Sequence, residues 1–139
     1  VANTTLSNIA GTTLDYVPPA AELNGRLIVT RSPVNAQVKG SASATDTTST
    51  SVVAASGDAG LKTYITGVQV VNTGATTVLV SLQDGSGGTV LAYLIAPAGG
   101  GMVVSYETPI PTTANTALYF AAGGSTTTLY VSAQGYKAP

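Results

Sequence analysis

Apolar and polar residues alternate along most of the chain after residue 25, and this period of two predicts β-strands. The segment 64–71 shows the pattern most fully, with Ile65, Val68 and Val70 separated by Thr66 and Gln69. The same segments are rich in β-branched residues, which favour an extended backbone. The pattern predicts strands at residues 27–30, 52–54, 64–71, 78–82, 89–95, 102–106, 117–121 and 127–133.

Turn residues separate these segments. Asn72–Ala75 and Asp84–Gly88 each follow a predicted strand, and their Asn and Gly residues tolerate positive φ. Pro97 and Gly99–Gly101 end the strand at 89–95. A strand-to-strand spacing of roughly eight to thirteen residues is typical of an antiparallel β-sandwich or jelly roll. No window after residue 25 sustains a helical period, so we expect an all-β fold.

The first 25 residues differ from the rest of the chain in their pattern of apolar and polar positions. Their apolar residues follow neither a helical nor a strand period, although residues 20–23 could form one short turn. Pro18 and Pro19 enforce a locally extended backbone. We therefore expect two parts, an extended N-terminal arm over residues 1–25 and a β-sandwich domain over residues 26–139.

Residues 41–51 are a low-complexity stretch of Ser, Ala, Thr and Asp. Such a stretch is typical of an exposed loop, or of an edge strand with a polar face. The alternative interpretation is a linker between the arm and the sandwich. Both interpretations stay open at this point.

Composition narrows the possible functions. Of the 139 residues, 44% are hydrophobic and 8% are charged, and the formal net charge is −1. This balance provides no basic surface for nucleic acid. The absence of Cys and His removes thiolate sites, the usual general base and the usual zinc ligand. We therefore expect a protein that is not an enzyme, holds no cofactor or metal, and binds no small-molecule substrate.

Two localisation signals, a signal peptide and a membrane helix, can be looked for in the sequence. Residues 1–5 carry neither the basic region nor the apolar stretch of a signal peptide. The apolar segments are far shorter than the roughly 20 residues that a membrane helix needs. We expect no membrane partner.

Two glycine-rich segments and the carboxylates are the candidates for chemistry. The loop Asp84–Gly88 has no following Lys for a phosphate loop and only one carboxylate for a calcium loop. We interpret it as a hairpin turn in which Asp84 caps the glycines, and Gly99–Gly101 as a bend. A glycosidase needs two facing carboxylates, and the sequence spacing proposes no pair. The carboxylates are Asp15, Glu22, Asp46, Asp58, Asp84 and Glu107.

The tyrosines and arginines suggest contacts rather than catalysis. Six of the seven tyrosines lie in or beside predicted strands, where an apolar ring with a polar tip suits a core rim or an interface. A sugar-stacking site is the alternative. Arg26 and Arg31 flank a hydrophobic stretch and could pair with Glu22 or Asp15, or could be solvated strand ends. The tyrosines are Tyr16, Tyr64, Tyr93, Tyr106, Tyr119, Tyr130 and Tyr136.

Several segments within residues 45–137 resemble a known class of proteins. These segments are 64–74, 84–91, 95–101, 111–118 and 129–136. They are similar to small virion structural proteins of tailed bacteriophages, of the decoration, head-fibre or minor structural type. The resemblance implies a β-sandwich without catalysis that assembles on a virion, often as a trimer. It transfers no functional residue, and the first 40 residues lie outside it.

The sequence therefore predicts a capsid decoration protein on the outer surface of a phage head. Its expected partners are the major capsid protein, through the arm at residues 1–25, and copies of itself as a homotrimer. One alternative is a tail or head-fibre module that contacts the host surface. Another is a secreted carbohydrate-binding or adhesin domain.

Overall fold

The computed structural model of the chain describes residues 37–125 and 128–139. This part of the chain contains eight β-strands and no helix. None of its segments could therefore cross a membrane as a helix. The strands are β1 (Gln37–Ala44), β2 (Thr50–Val53), β3 (Lys62–Asn72), β4 (Val78–Asp84), β5 (Thr89–Ala96), β6 (Gly100–Pro111), β7 (Leu118–Ala122) and β8 (Leu129–Ala138).

The strands form two antiparallel four-stranded sheets. The first sheet has the order β1-β8-β3-β6 and the second has the order β2-β7-β4-β5. The chain passes between the two sheets in the order of a jelly roll, in which eight strands form two Greek keys. The predicted all-β sandwich is confirmed, and the strand order identifies it as a jelly roll.

The two sheets enclose one hydrophobic core. Inward-facing residues alternate with outward-facing ones, so that Val78, Val80 and Leu82 of β4 are buried while Leu79 is exposed. Phe120 of β7 is fully buried, as is Val131 of β8. Because side chains of a strand point to opposite faces in turn, each sheet also presents a complete outer face.

Strand β1 was not predicted from the sequence, except that an edge strand was one interpretation of residues 41–51. Its inward positions carry Gly40, Ala42 and Ala44, which give little hydrophobic signal. The small residues are needed because β1 lies close to β2: a Cβ at residue 40 would lie 1.8 Å from the carbonyl oxygen of Val52. Residues 41–44 of the low-complexity stretch thus belong to an edge strand, and residues 45–48 form bends.

The turn after β3 differs in mechanism from the prediction. Within the described residues, the glycines with positive φ are Gly57, Gly85, Gly87 and Gly99, and Asn115 is the non-glycine residue of this kind. The turn at 72–75 is instead held by the buried side chain of Asn72. Its Nδ2 donates to the carbonyl of Thr76 (2.7 Å), and its Oδ1 accepts from the amide of Gly74 (2.8 Å). The position of the turn was predicted correctly, but hydrogen bonds of the Asn72 side chain, and not positive φ, form it.

Most predicted strands coincide with observed ones, with differences at the ends. Strand β6 continues to Pro111, beyond the predicted end at residue 106, and β8 begins at Leu129. The predicted arm (residues 1–25), the predicted strand at 27–30 and residue 127 lie outside the described residues. So do the proposed pairs of Arg26 and Arg31 with Glu22 and Asp15, as well as Tyr16 and the turn at 20–23.

Candidate interaction surfaces

The described residues include four of the candidate carboxylates, Asp46, Asp58, Asp84 and Glu107. Among the described residues, no three side chains of the types Asp, Glu, His and Cys form a group that could hold a metal ion. The carboxylate of Asp84 accepts hydrogen bonds from the amide of Thr113, at 3.0 Å to each oxygen, and from its hydroxyl at 2.5 Å. Asp84 therefore ties the β4–β5 hairpin to the segment before β7.

The glycine-rich loops are turns of the framework. Gly88 donates its amide to the carbonyl of Gly85 (3.2 Å), and Gly85 and Gly87 have φ of 87° and 64°. This is a tight hairpin connection, for which glycine is suited because it lacks a Cβ. Gly100 closes a similar turn with Pro97 (3.2 Å) between β5 and β6. Neither loop presents a row of free amides to a ligand.

The tyrosines of the described residues occupy several environments. Tyr64 and Tyr136 stack with ring centroids 5.3 Å apart and an interplanar angle of 8°. Tyr93 and Tyr130 are exposed, on opposite sheets. Tyr106 packs against the core, and burial of its hydroxyl, which has no hydrogen-bond partner, raises the pKa of its phenol above the usual 10.0.

The outer side of the β2-β7-β4-β5 sheet carries an exposed apolar patch. Leu79 of β4 lies directly opposite Ile95 of β5, and their side chains are 48% and 58% exposed. Tyr93, two residues before Ile95 on the same side of β5, is 65% exposed and lies opposite Ser81. We call this patch, with Ala121 next to Ser81 on β7, the apolar face.

The side chains of Ser81 and Gln83, which border the apolar face, have hydrogen-bond partners within the molecule. The hydroxyl of Ser81 donates to the carbonyl of Ala121 (3.3 Å), and Gln83 Nε2 donates to Ser81 Oγ (3.3 Å). Gln83 Oε1 in turn accepts from the hydroxyl of Ser49 (2.7 Å). Because Ser81 and Gln83 are hydrogen-bonded internally, a partner that covers them would not leave these two side chains without a hydrogen-bond partner.

The edge of the same sheet is also open. Strand β5 pairs with β4 on one side, and no described strand pairs with its other side. Its eight residues, Thr89–Ala96, include no charged side chain and no proline. Edge strands are commonly protected by charge or proline. An unprotected edge beside an apolar patch is typical of a surface that associates with another molecule.

The outer side of the β1-β8-β3-β6 sheet is shaped differently. It contains a shallow concavity of about 590 Å³, to which all four strands contribute. We call it the polar trough. Its outward-facing polar side chains are Lys39, Ser41, Gln69, Ser105, Ser132 and Gln134.

Strand register explains how the polar trough is assembled. Ser41 lies opposite Ser132, and Ser132 lies opposite Gln69. One step along the sheet, Lys39 lies opposite Gln134. Gln134 is next to Gly67, where the missing side chain leaves the floor open, since a Cβ there would lie 3.3 Å from Gln134 Nε2.

A second concavity adjoins the polar trough. Its volume is about 560 Å³, and it shares Lys39 and Gln134 with the first. It reaches Tyr136, which stacks on Tyr64. The two concavities lie side by side, with Lys39 of β1 and Gln134 of β8 lining both of them.

Comparison with known proteins gives no family assignment. No protein-family model matches the chain, and no curated protein matches it. Among solved structures, the chain is similar to a subunit of the Bacillus endospore appendages, described as disulfide-linked pili, at 10% identity and a TM-score of 0.39. That likeness covers 82% of this chain and 99% of the pilus chain.

The coat protein of Tobacco streak virus is a second similar structure. The identity is 12% and the TM-score 0.36, over 79% of this chain and 93% of the coat protein. Both TM-scores are below 0.5, so neither likeness assigns a function. The jelly roll assignment depends on the strand order of this chain alone.

The sequence interpretation located neither surface. The apolar face was hidden because the run Val78–Val80 is apolar at every position, so alternation does not tell which residue points outward. The polar trough combines residues far apart in sequence, such as Ser41 and Ser132. The exposed tyrosines were the available signal, and Tyr93 lies on the apolar face.

Proposed function

We propose that this chain is a structural subunit of a virus particle, a decoration protein on the outer surface of a tailed-phage capsid. It binds the major capsid protein and copies of itself and performs no catalysis. The observation that carries the proposal is the apolar face, which is exposed and uncharged and whose neighbouring side chains Ser81 and Gln83 are hydrogen-bonded within the molecule. The sequence resemblance of residues 45–137 to phage virion proteins supports the same function.

The physical role of the apolar face is to provide area that an assembly can bury. Apolar surface removed from water contributes about 25 cal/mol per Å². Leu79, Tyr93 and Ile95 are large side chains that remain mostly in solvent in the isolated chain. On a particle, such contacts between neighbouring subunits must be broken before the shell can open, so they stabilise the shell.

The composition of the chain suits a permanent assembly. With 8% charged residues and a net charge of −1, few charges oppose association between copies. The disulfide links described for the Bacillus pili are not possible between copies of this sequence, because it contains no cysteine. Association therefore depends on non-covalent contacts.

The localisation test uses a gold-labelled antibody against the chain on particles purified from its source culture. Label spread evenly over the heads is the expected result. Label confined to tails or fibres would overturn the decoration role and favour the module that contacts the host. Particles without label would remove the chain from the virion and favour a secreted binding domain.

A variant pair tests the apolar face itself. Ile95→Lys places a charge in the centre of the apolar face, and we expect it to abolish attachment to particles that lack the protein. Val103→Lys is the matched control, because Val103 is 70% exposed on the opposite sheet, where it lines the polar trough opposite Gln69 and is not part of the apolar face. Equal attachment of wild type and Ile95→Lys would contradict the proposed role of this face.

A further inference from the structure

The polar side chains on the two outer faces of the sandwich differ in their hydrogen bonding. On the apolar face, Ser81 and Gln83 are hydrogen-bonded within the molecule. In the polar trough, by contrast, the side chains of Ser41, Gln69 and Gln134 have no hydrogen-bond partner in the described part of the chain. The same holds for Ser105 and Ser132.

These free groups define the chemistry of a ligand. An apolar surface over the trough would leave these five polar side chains without hydrogen-bond partners, which makes an apolar ligand unfavourable there. A ligand that fills the trough must therefore supply many donors and acceptors. Serine hydroxyls and glutamine amides each donate and accept, which matches sugar hydroxyls that also do both.

Charge excludes another class of ligand. Lys39 is the one charged side chain that lines the polar trough or the concavity beside it. Nucleic acids and polyphosphates are bound through several cationic groups, and these are absent from the lining. A neutral ligand fits the single lysine better than a polyanion.

Shape and aromatic placement add a second, independent argument. Lys39 and Gln134 line both concavities, which are therefore adjacent, and adjacent concavities suit a linear ligand. Tyr130 lies two residues before Ser132 on the same face of β8 and is 50% exposed, and Tyr136 lines the second concavity. Tyrosine offers an apolar ring for the C–H faces of a sugar and a polar tip for its hydroxyls.

We propose that the polar trough and the concavity beside it bind a linear, neutral oligosaccharide. Gln69 and Gln134 hydrogen-bond the sugar hydroxyls, and Tyr130 and Tyr136 contact sugars at the two ends. The site lies on the sheet opposite the apolar face and does not depend on the proposed attachment to a capsid.

The experiment uses the full chain on an array of linear neutral glycans, followed by an NMR titration with the strongest neutral hexasaccharide. We expect amide shifts at residues 39–41, 67–69 and 132–136. The titration extends above about 1 mM ligand, so that it also detects a site with a Kd of about 1 mM. Absence of binding to every neutral glycan, or shifts confined to another surface, would overturn the proposal.

Variants separate the trough from general effects on folding. The double variant Gln69→Ala/Gln134→Ala removes two exposed amides, and we expect its affinity to fall by about tenfold or more. Gln83→Ala is the matched control on the opposite sheet and should bind as wild type does. Thermal unfolding followed by circular dichroism verifies that each variant is folded.

A second variant tests the shape argument. Ser132→Trp fills the polar trough from an exposed position on β8, and we expect it to abolish glycan binding while the chain stays folded. Unchanged binding by both trough variants would overturn the site. Loss of particle attachment in these variants, without glycan binding by the wild type, would assign the trough to a protein partner and contradict the proposal.

Discussion

Gly40 of β1 approaches the backbone of Val52 so closely that residue 40 has no room for a side chain. A Cβ would lie 1.8 Å from the carbonyl oxygen of Val52 and 3.3 Å from the Cα of Val53. Since both obstacles are backbone atoms, one of the two strands would have to move. We expect Gly40→Ala to lower the free energy of unfolding by about 3 kcal/mol, measured by urea denaturation.

The matched control is Gly124→Ala. A Cβ at residue 124 meets no atom within 4 Å, and its φ is not positive. We expect this variant to unfold within about 0.5 kcal/mol of wild type. Equal stability of the two alanine variants would show that β1 and β2 are not packed as described.

The buried hydroxyl of Thr63 is a second site where stability can be changed. Thr63 is 1% exposed, and its Oγ1 has no hydrogen-bond partner. Thr63→Val keeps the shape of the side chain and removes the unsatisfied oxygen. We expect it to raise the free energy of unfolding by about 1 kcal/mol, measured by urea denaturation.

Thr112→Val is the control, and we expect it to change the free energy of unfolding in the opposite direction. The Oγ1 of Thr112 accepts a hydrogen bond from the amide of Thr63 (3.1 Å), so Thr112→Val leaves a buried amide unsatisfied. We expect this variant to be less stable than wild type by about 1 kcal/mol or more. The same sign for both variants would contradict the hydrogen-bond assignment.

Tyr106 makes stability depend on alkaline pH. Burial raises the pKa of its phenol above 10.0 in the folded state, so the unfolded chain loses this proton first as the pH rises. The stabilising contribution is complete below pH 10 and is lost as the pH rises from there through the folded pKa. We expect Tyr106→Phe to reduce the loss of stability above pH 10.

Urea denaturation at several pH values between neutral and alkaline measures this effect. At neutral pH, Tyr106→Phe should be at least as stable as wild type, because the hydroxyl it removes has no partner. Tyr93→Phe, at an exposed position, controls for the loss of a tyrosine as such. An unchanged alkaline loss in Tyr106→Phe would show that this phenol is not the responsible group.

Asp84 is expected to act as a structural cap. Its carboxylate accepts hydrogen bonds from the amide and hydroxyl of Thr113. We expect Asp84→Ala to lower the free energy of unfolding by about 2 kcal/mol, since hydrogen bonds to charged groups contribute more than neutral ones. Differential scanning calorimetry measures the corresponding fall in Tm.

Asp46→Ala is the comparison for Asp84. Asp46 accepts one exposed hydrogen bond from the amide of Thr48, two residues away. Because this bond is local and in solvent, its loss should cost less than about 1 kcal/mol. An equal cost for both substitutions would mean that the link between Asp84 and Thr113 adds nothing to stability.

The sequence predicted the strands whose inward positions carry large apolar residues. Strand β3 is the strongest example, because Ile65, Val68 and Val70 are all nearly fully buried. Strand β1 was missed because its inward positions are small, as the contact between Gly40 and Val52 requires. Alternation of large side chains does not detect a strand that packs backbone against backbone.

Neither surface could be predicted from local pattern. Leu79 is apolar like its buried neighbours, and its exposure depends on the face that β4 turns to the core. Ser132 and Gln69 become neighbours only through the pairing of β8 with β3. The residues that form the polar trough are unremarkable in sequence, and their function depends on strand order.

Because the two sheets pack face to face, the apolar face and the polar trough lie on opposite sides of the sandwich. A sandwich is about two sheets thick, with the sheets roughly 10 Å apart, so its outer faces point away from each other. A subunit seated through Leu79 and Ile95 would turn Gln69 and Gln134 away from whatever it is seated on. The sandwich would then attach through one outer face and expose the other to solvent, with no hinge or linker between the two faces.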